Sequence, residues 1–189
     1  MTQQGKNAID LVLAESLIEL SAKKPIDKIT IKEITDKAVV IRPTFYNHFQ
    51  DKYELIEWII KTELLEPIKL LLNAGMIFEA IVLMLNNITA NSVFYKKALK
   101  LEGAVTFNQI AMKCVYEMFM NIISEKSTGK KSKYRWLTPE VISTYYAQSL
   151  CFITEGWIAQ GMDDIEPKEM AEAYMYLITR SMDDILSEL

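Results

Sequence analysis

The chain of 189 residues contains one histidine, two cysteines, six glycines and five prolines. With His48 as the sole histidine, no second imidazole is available to serve a serine or cysteine nucleophile, and no His/Cys cluster has zinc-ligand spacing. So little glycine and proline leaves few breaks. No Asn-Gly or Asp-Gly turn sits between alternating runs, which argues against hairpins and for helices. Cys114 and Cys151 are isolated within helical patterns and read as buried free thiols, not a disulfide framework. Long hydrophobic runs are missing too. The most apolar stretch, MIFEAIVLML from Met76 to Leu85, is about half a membrane span and carries Glu79, so it reads as a buried helix. The first ten residues, MTQQGKNAID, hold no apolar segment of a signal peptide. These features predict a cytoplasmic protein with no membrane association.

A basic excess is also lacking. Net charge is −4; residues 1–54 hold eight Lys/Arg and eight Asp/Glu, and residues 55–189 thirteen and seventeen. A broad basic footprint for nucleic acid is thereby excluded, and any DNA contact must come from locally placed charges and helix N-termini. STGKKS, Ser127 to Ser132, has the outline of a phosphate loop and fails it. The leading glycine is absent, Lys131 stands where Ser or Thr is required, and no strand precedes it. Asp163-Asp164 and Asp183-Asp184 read as a turn and a solvated face. No catalytic site, metal or cofactor is expected.

What is present is helical periodicity. Ile9, Val12, Leu13, Leu17 and Leu20 predict a helix from about Lys6 to Ala22. Thr30 with Glu33 three residues on forms a capping box before a short helix through Ile31, Ile34 and Ala38. A break at Val39 to Ile41 precedes a third helix, Arg42 to Phe49. Asp51 caps a fourth, with Glu54 again at the capping-box position, and Pro67 is expected to kink or end it. Further helices are predicted at about Gly75 to Thr89, Ser92 to Leu101, Ala104 to Ser124, Pro139 to Gln160 and Pro167 to Leu186, with both prolines suited to a first turn. The polar, basic segment Ser124 to Trp136 is expected to be a mobile loop, its basic part being Ser127 to Lys133. The fold class is all-α.

Two short helices joined by a tight turn and braced by a longer one make a helix-turn-helix. On a helical wheel Phe45 and Phe49 share one side, Pro43, Thr44 and Asn47 lie opposite, and Arg42 and Tyr46 occupy one flank with His48 on the other. A helix laid in a major groove needs this layout, with central residues at base edges and flanking ones at phosphates. An ordinary amphipathic helix with two core phenylalanines has the same periodicity.

The stretch TIKEITDKAVVIRPTFYNHFQDKYELI, Thr30 to Ile56, resembles the DNA-binding region of the TetR family of bacterial transcriptional regulators. Its Thr44-Phe45-Tyr46-Asn47-His48-Phe49 and Lys52 carry the likeness. The resemblance implies a DNA-binding helix-turn-helix domain at 1–54 and a helical ligand-binding and dimerisation domain at 55–189. It implies that Thr30, Tyr46, His48 and Lys52 meet phosphates, and that Arg42, Pro43, Thr44 and Asn47 meet bases. In one place the chain departs from the pattern: the turn, usually Gly-hydrophobic-Ser, reads Val39-Val40-Ile41. Valine disfavours a positive φ, so a differently built turn is expected, and Ile41 supplies no capping hydroxyl.

In the C-terminal part, Ile142, Tyr145, Tyr146, Leu150, Ile153 and Trp157 make one apolar face and Tyr174, Leu177, Ile178 and Met182 another, fitting a homodimer interface or an internal core. YYAQSLCFITEGWIAQGMDDIEPKEMAEAY resembles, more weakly, the C-terminal region of dihydroxyacetone kinase operon regulators, a group in which some members answer to a protein partner. Phe94, Tyr95, Phe107, Tyr116, Phe119 and Trp157 are the candidate lining of an effector pocket. The sequence therefore reads as a homodimeric repressor of a palindromic double-stranded DNA operator, released by a small-molecule effector. Its rivals are a regulator or activator controlled by a protein partner, and a helical binding protein without DNA function.

Overall fold

The computed structural model describes residues 3–103, 105–126 and 132–188. It is helical throughout, with no strand among the described residues. The order is α1 (Gln3–Ser21), a single 3-10 turn (Ile26–Lys28), α2 (Ile31–Lys37), α3 (Arg42–His48), α4 (Lys52–Ile59), a π-helical turn (Ile60–Leu65), α5 (Glu66–Asn73), α6 (Ile77–Ala90), α7 (Ser92–Ala98), α8 (Phe107–Lys126), α9 (Pro139–Ala159), α10 (Pro167–Thr179) and α11 (Met182–Ser187).

The N-terminal helices close around one apolar knot. Leu13 and Leu17 of α1, Ile34 of α2, Phe45 of α3 and Leu55, Ile56 and Ile59 of α4 are fully buried. Phe49 stacks edge-on against Trp58 at 6.3 Å between ring centres. Both predicted caps are present. The Thr30 hydroxyl accepts from the Glu33 amide while the Glu33 carboxylate accepts from the Thr30 amide. Asp51 accepts from the amides of Tyr53 and Glu54, but the Glu54 carboxylate closes one residue further back, on the amide of Gln50.

Three expectations are corrected. Pro67 does not end the helical run, which continues to Asn73. A proline here removes the donor for the Glu63 carbonyl four residues back and crowds it. The chain widens into the π turn just before the proline, and Asn87 Nδ2 of α6 donates to the Glu63 carbonyl at 2.9 Å, replacing the lost bond. Second, the last predicted helix is two. Ser181 caps α11 through a capping box with Asp184, and Arg180 is extended between α10 and α11. Third, Val39 does adopt a positive φ, +56°. The amide of Val40 donates to Thr35 and that of Val39 to Asp36, the bonding of a Schellman helix end, in which this position must be left-handed. The turn is therefore built in the ordinary way, by a residue ill suited to it. Of the basic loop at 127–133, all but Ser132 and Lys133 lie outside the described residues.

In the larger C-terminal part, α8 and α9 pack along each other, and α6 lies between α5 and α10. Helix α1 touches α7 and α4 touches α8, so the N-terminal knot meets the rest of the chain at two places. No single helix among the described residues is long and apolar enough to cross a membrane; α6 and α7 together are, but they are bent by 89°.

Candidate nucleic-acid interface and cavities

Helix α3 stands on Phe45, which is fully buried, and on Phe49 just after it. That anchoring turns the other side of the helix outward. Arg42, Pro43, Tyr46 and Asn47 are all exposed, and Thr44 is half-buried. Val39 and Ile41, at 90% and 68% exposure, extend the same surface along the turn as bare hydrocarbon. Thr30 is exposed at the start of α2, its hydroxyl shared with Glu33. Glu33 is held by Lys24 at 2.5 Å, and that contact, with the Thr30 amide, draws its carboxyl down to about 2. An acid so committed is a cap, not a free repulsive charge beside the surface.

Two of the eight predicted residues stand elsewhere. The His48 side chain is only 2% exposed, and its Nδ1 lies 2.6 Å from Asp10 Oδ1 on α1. Its ring fastens α3 to α1, which is at odds with a direct hold on a phosphate. Lys52 turns inward as well. Its ammonium donates to the carbonyls of Ile26, Asp27 and Ile29 at 3.0, 2.7 and 3.2 Å, and burial pulls its pKa below the usual lysine range. All three carbonyls lie just before Thr30, so Lys52 fixes the approach to α2. Sequence reasoning missed Asp10, and nothing within its own helix announces it.

The C-terminal part holds two neighbouring cavities. One, of about 390 Å³, lies among α5, α6, α8, α9 and α10 and is walled mainly by Ile, Leu and Met side chains. The other, of about 40 Å³, is bounded by the π turn, α6, α7, α8 and α9. Of the six predicted pocket residues, Tyr95 and Phe107 line the smaller cavity and Phe119 the larger. Phe94, Tyr116 and Trp157 line neither. Phe94 is core, and Trp157 donates its indole N–H to the Ile165 carbonyl at 3.0 Å, tying the end of α9 to the loop before α10. Burial pushes both the Cys114 and Cys151 thiols up to about 12, so neither is a thiolate at neutral pH.

Of the two predicted apolar faces, Leu150, Trp157 and Tyr174 are internal core, whereas Tyr145, Leu177 and Met182 are exposed. Phe152, which the sequence reading did not single out, is 77% exposed one face-repeat after Tyr145 on α9.

Comparison with known proteins finds likenesses in both parts of the chain. Residues 15–59 match the family model for bacterial regulatory proteins of the tetR family, and residues 76–180 match one described as a transcriptional regulator C-terminal region. The chain is 26% identical over 156 residues to the HTH-type dhaKLM operon transcriptional activator DhaS of Lactococcus lactis subsp. lactis (strain IL1403), covering 79% of each. A solved structure of a dihydroxyacetone kinase operon activator DhaS superposes with a TM-score of 0.59 at 20% identity, over 90% of this chain and 93% of that one. NalD, the secondary repressor of the MexAB-OprM multidrug efflux pump in Pseudomonas aeruginosa, superposes with a TM-score of 0.59 at 12% identity, over 92% and 96%. At these identities the structural likenesses speak for the fold.

Proposed function

From the premise that this chain belongs to the TetR family of DNA-binding transcriptional regulators, we propose that it acts as a cytoplasmic homodimeric repressor released from its operator by a small-molecule effector. Residues 1–54 are the reading head and 55–189 the effector and dimerisation region. The observation that carries the reading is the split of α3, with Phe45 buried and Arg42, Pro43, Tyr46 and Asn47 outward. Arg42 and Asn47 suit guanine and adenine edges, each bidentate pair being worth about 1–3 kcal/mol of discrimination. Pro43 and Thr44 offer apolar contact to bases, and Tyr46 offers a hydroxyl to a phosphate; the Thr30 hydroxyl reaches one only by releasing the Glu33 carboxylate to which it donates at 2.8 Å. His48 and Lys52 act one layer behind, holding α3 and the start of α2. Paired heads read half-sites about 34–36 Å apart. An effector that favours another separation of the heads lowers DNA affinity by its differential affinity for the two states. No catalytic step and no cofactor belong to this reading.

The test is selection of bound sequences from a random duplex pool at stated salt, beside a Tyr46→Ala/Asn47→Ala double variant. A palindromic consensus lost in the variant supports the reading. No enrichment even at low salt overturns the assignment of α3. The likeness to a transcriptional activator favours a second reading, in which the bound protein turns transcription on. A reporter behind the selected operator separates the two by whether added protein lowers or raises expression.

A further inference from the structure

The two cavities share a wall, and the smaller is lined by two residues whose hydroxyls are unpaired among the described residues. Tyr95 is fully buried, and neither its phenol nor Thr154 Oγ1 finds a partner among the described residues. Both residues line the cavity of about 40 Å³. Thr154 sits inside α9, where a threonine hydroxyl ordinarily donates to the carbonyl four residues back. Thr35, Thr89, Thr144 and Thr179 all do so in their own helices. Thr154 does not. A buried hydroxyl left unpaired costs stability, and native structures keep such groups where something else satisfies them.

Met84 and Leu150 line both this cavity and the apolar one of about 390 Å³. Methionine is unbranched and adapts to what it meets, so Met84 is the side chain of that wall best able to turn aside.

We propose that the two cavities form one site for an uncharged, largely apolar small molecule with a hydrogen-bonding oxygen at one end. The apolar body fills the larger chamber, and the oxygen passes Met84 to the hydroxyls of Tyr95 and Thr154. The proposal rests on the reading of the C-terminal region as an effector domain. Buried Tyr95 keeps its proton, so it donates; Thr154 donates or accepts. An alcohol, ketone or ether oxygen satisfies both. A carboxylate head is disfavoured, because Glu155 lines the smaller cavity and the Glu63 carboxyl acts on Tyr95. A cationic head is disfavoured by desolvation: it gives up its water to a mainly apolar lining whose carboxyl, Glu155, already accepts from Asn108 Nδ2 at 2.7 Å. Tyr95 is carried by α7, which packs on α1 of the reading head, so an occupant held there bears on the head directly.

The test uses the full chain and the uncharged dye N-phenylnaphthylamine, displaced in turn by decanol, decanoate and decyltrimethylammonium. Decanol is expected to displace the dye at concentrations about tenfold lower than the two charged compounds. In a Tyr95→Phe/Thr154→Val variant that preference, normalised to the variant's own dye affinity, falls by about tenfold, one hydrogen bond's worth. The variant removes only unpaired groups, so its urea midpoint without ligand is expected to hold or rise, which shows that it folds. Equal displacement by all three compounds, or an unchanged decanol preference in the variant, overturns the assigned chemistry and leaves an apolar effector cavity in place. No dye binding overturns the proposal and the small-molecule reading together. Decanol that binds as expected yet leaves operator affinity unaltered upholds the site and overturns effector control.

Discussion

At Val39 the backbone takes φ +56° with a β-branched side chain, a conformation worth of order 1–3 kcal/mol of strain. Nothing packs the side chain down, since it is 90% exposed. Val39→Gly should relieve the strain and give back about 0.5–1 kcal/mol through the freer unfolded chain, for a net gain of about 1 kcal/mol in urea unfolding. A loss of stability would show that the valine is not strained. His48 carries the second residue-scale prediction. Removing its buried bond to Asp10 with His48→Leu should cost about 1–3 kcal/mol, yet leave the slope of log affinity against log salt unchanged. A slope reduced by about one would restore His48 to a phosphate. The outward residues of α3 were legible because they depend only on periodicity within one helix. His48 and Lys52 were not, because their roles depend on Asp10 and on the carbonyls of Ile26, Asp27 and Ile29, partners 23 to 38 positions away in sequence.

Helix α2 is set by its first turn. The Glu33 carboxyl, held by Lys24 and by the Thr30 amide, sits at about 2 in the folded protein against 4.5 for the free group. Its contribution is therefore fully present above pH 4.5 and is lost as pH falls towards 2. Carboxyl titration by NMR should place Glu33 near 2, and Lys24→Met should move it back up; a Glu33 titrating near 4.5 in the unaltered protein would refute the cap as drawn. The element boundaries that the sequence showed were those marked by a cap or a proline, at Thr30, Asp51, Pro139 and Pro167. Those it hid have other causes. Pro67 stays inside a helix because Asn87, twenty positions on, covers the carbonyl that the proline leaves open. Ser181 breaks an apolar repeat that otherwise runs to Leu186, and its capping box with Asp184 lies within that repeat, where periodicity overrode it.

For the whole molecule, the question is how the C-terminal helices govern the reading heads. Ion pairs and helix packing link the two parts. Glu57 of α4 meets Lys61 of the π turn at 2.7 Å and Lys113 of α8 at 2.8 Å, and Lys61 also meets Glu117 of α8 at 2.8 Å, so the helix that leaves the reading head is bolted to α8. Helix α1 meets α7 at a second point. A subunit tied at two points moves its head only as its core moves, and in a dimer the separation of the two heads then follows the angle between the two cores. In the proposed homodimer the face that fits a partner copy is α9 and α10, where Phe152, Tyr145 and Leu177 stand in the open, Phe152 at 77% exposure. Exposed aromatics grouped in this way mark interaction surfaces. The composition showed an apolar face on α9, but periodicity alone could not divide Leu150 and Trp157, which face inward, from Tyr145 and Phe152, which face out. Phe152→Glu places a charge on that face and leaves the buried core untouched. Sedimentation should show the unaltered chain as a dimer and the variant as a monomer with the same helical content. Operator affinity should fall by about 10²-fold or more in the variant, since a second head no longer binds at the effective concentration set by the first. A variant that stays dimeric, or a monomer with undiminished affinity, would move the interface or the palindromic reading elsewhere.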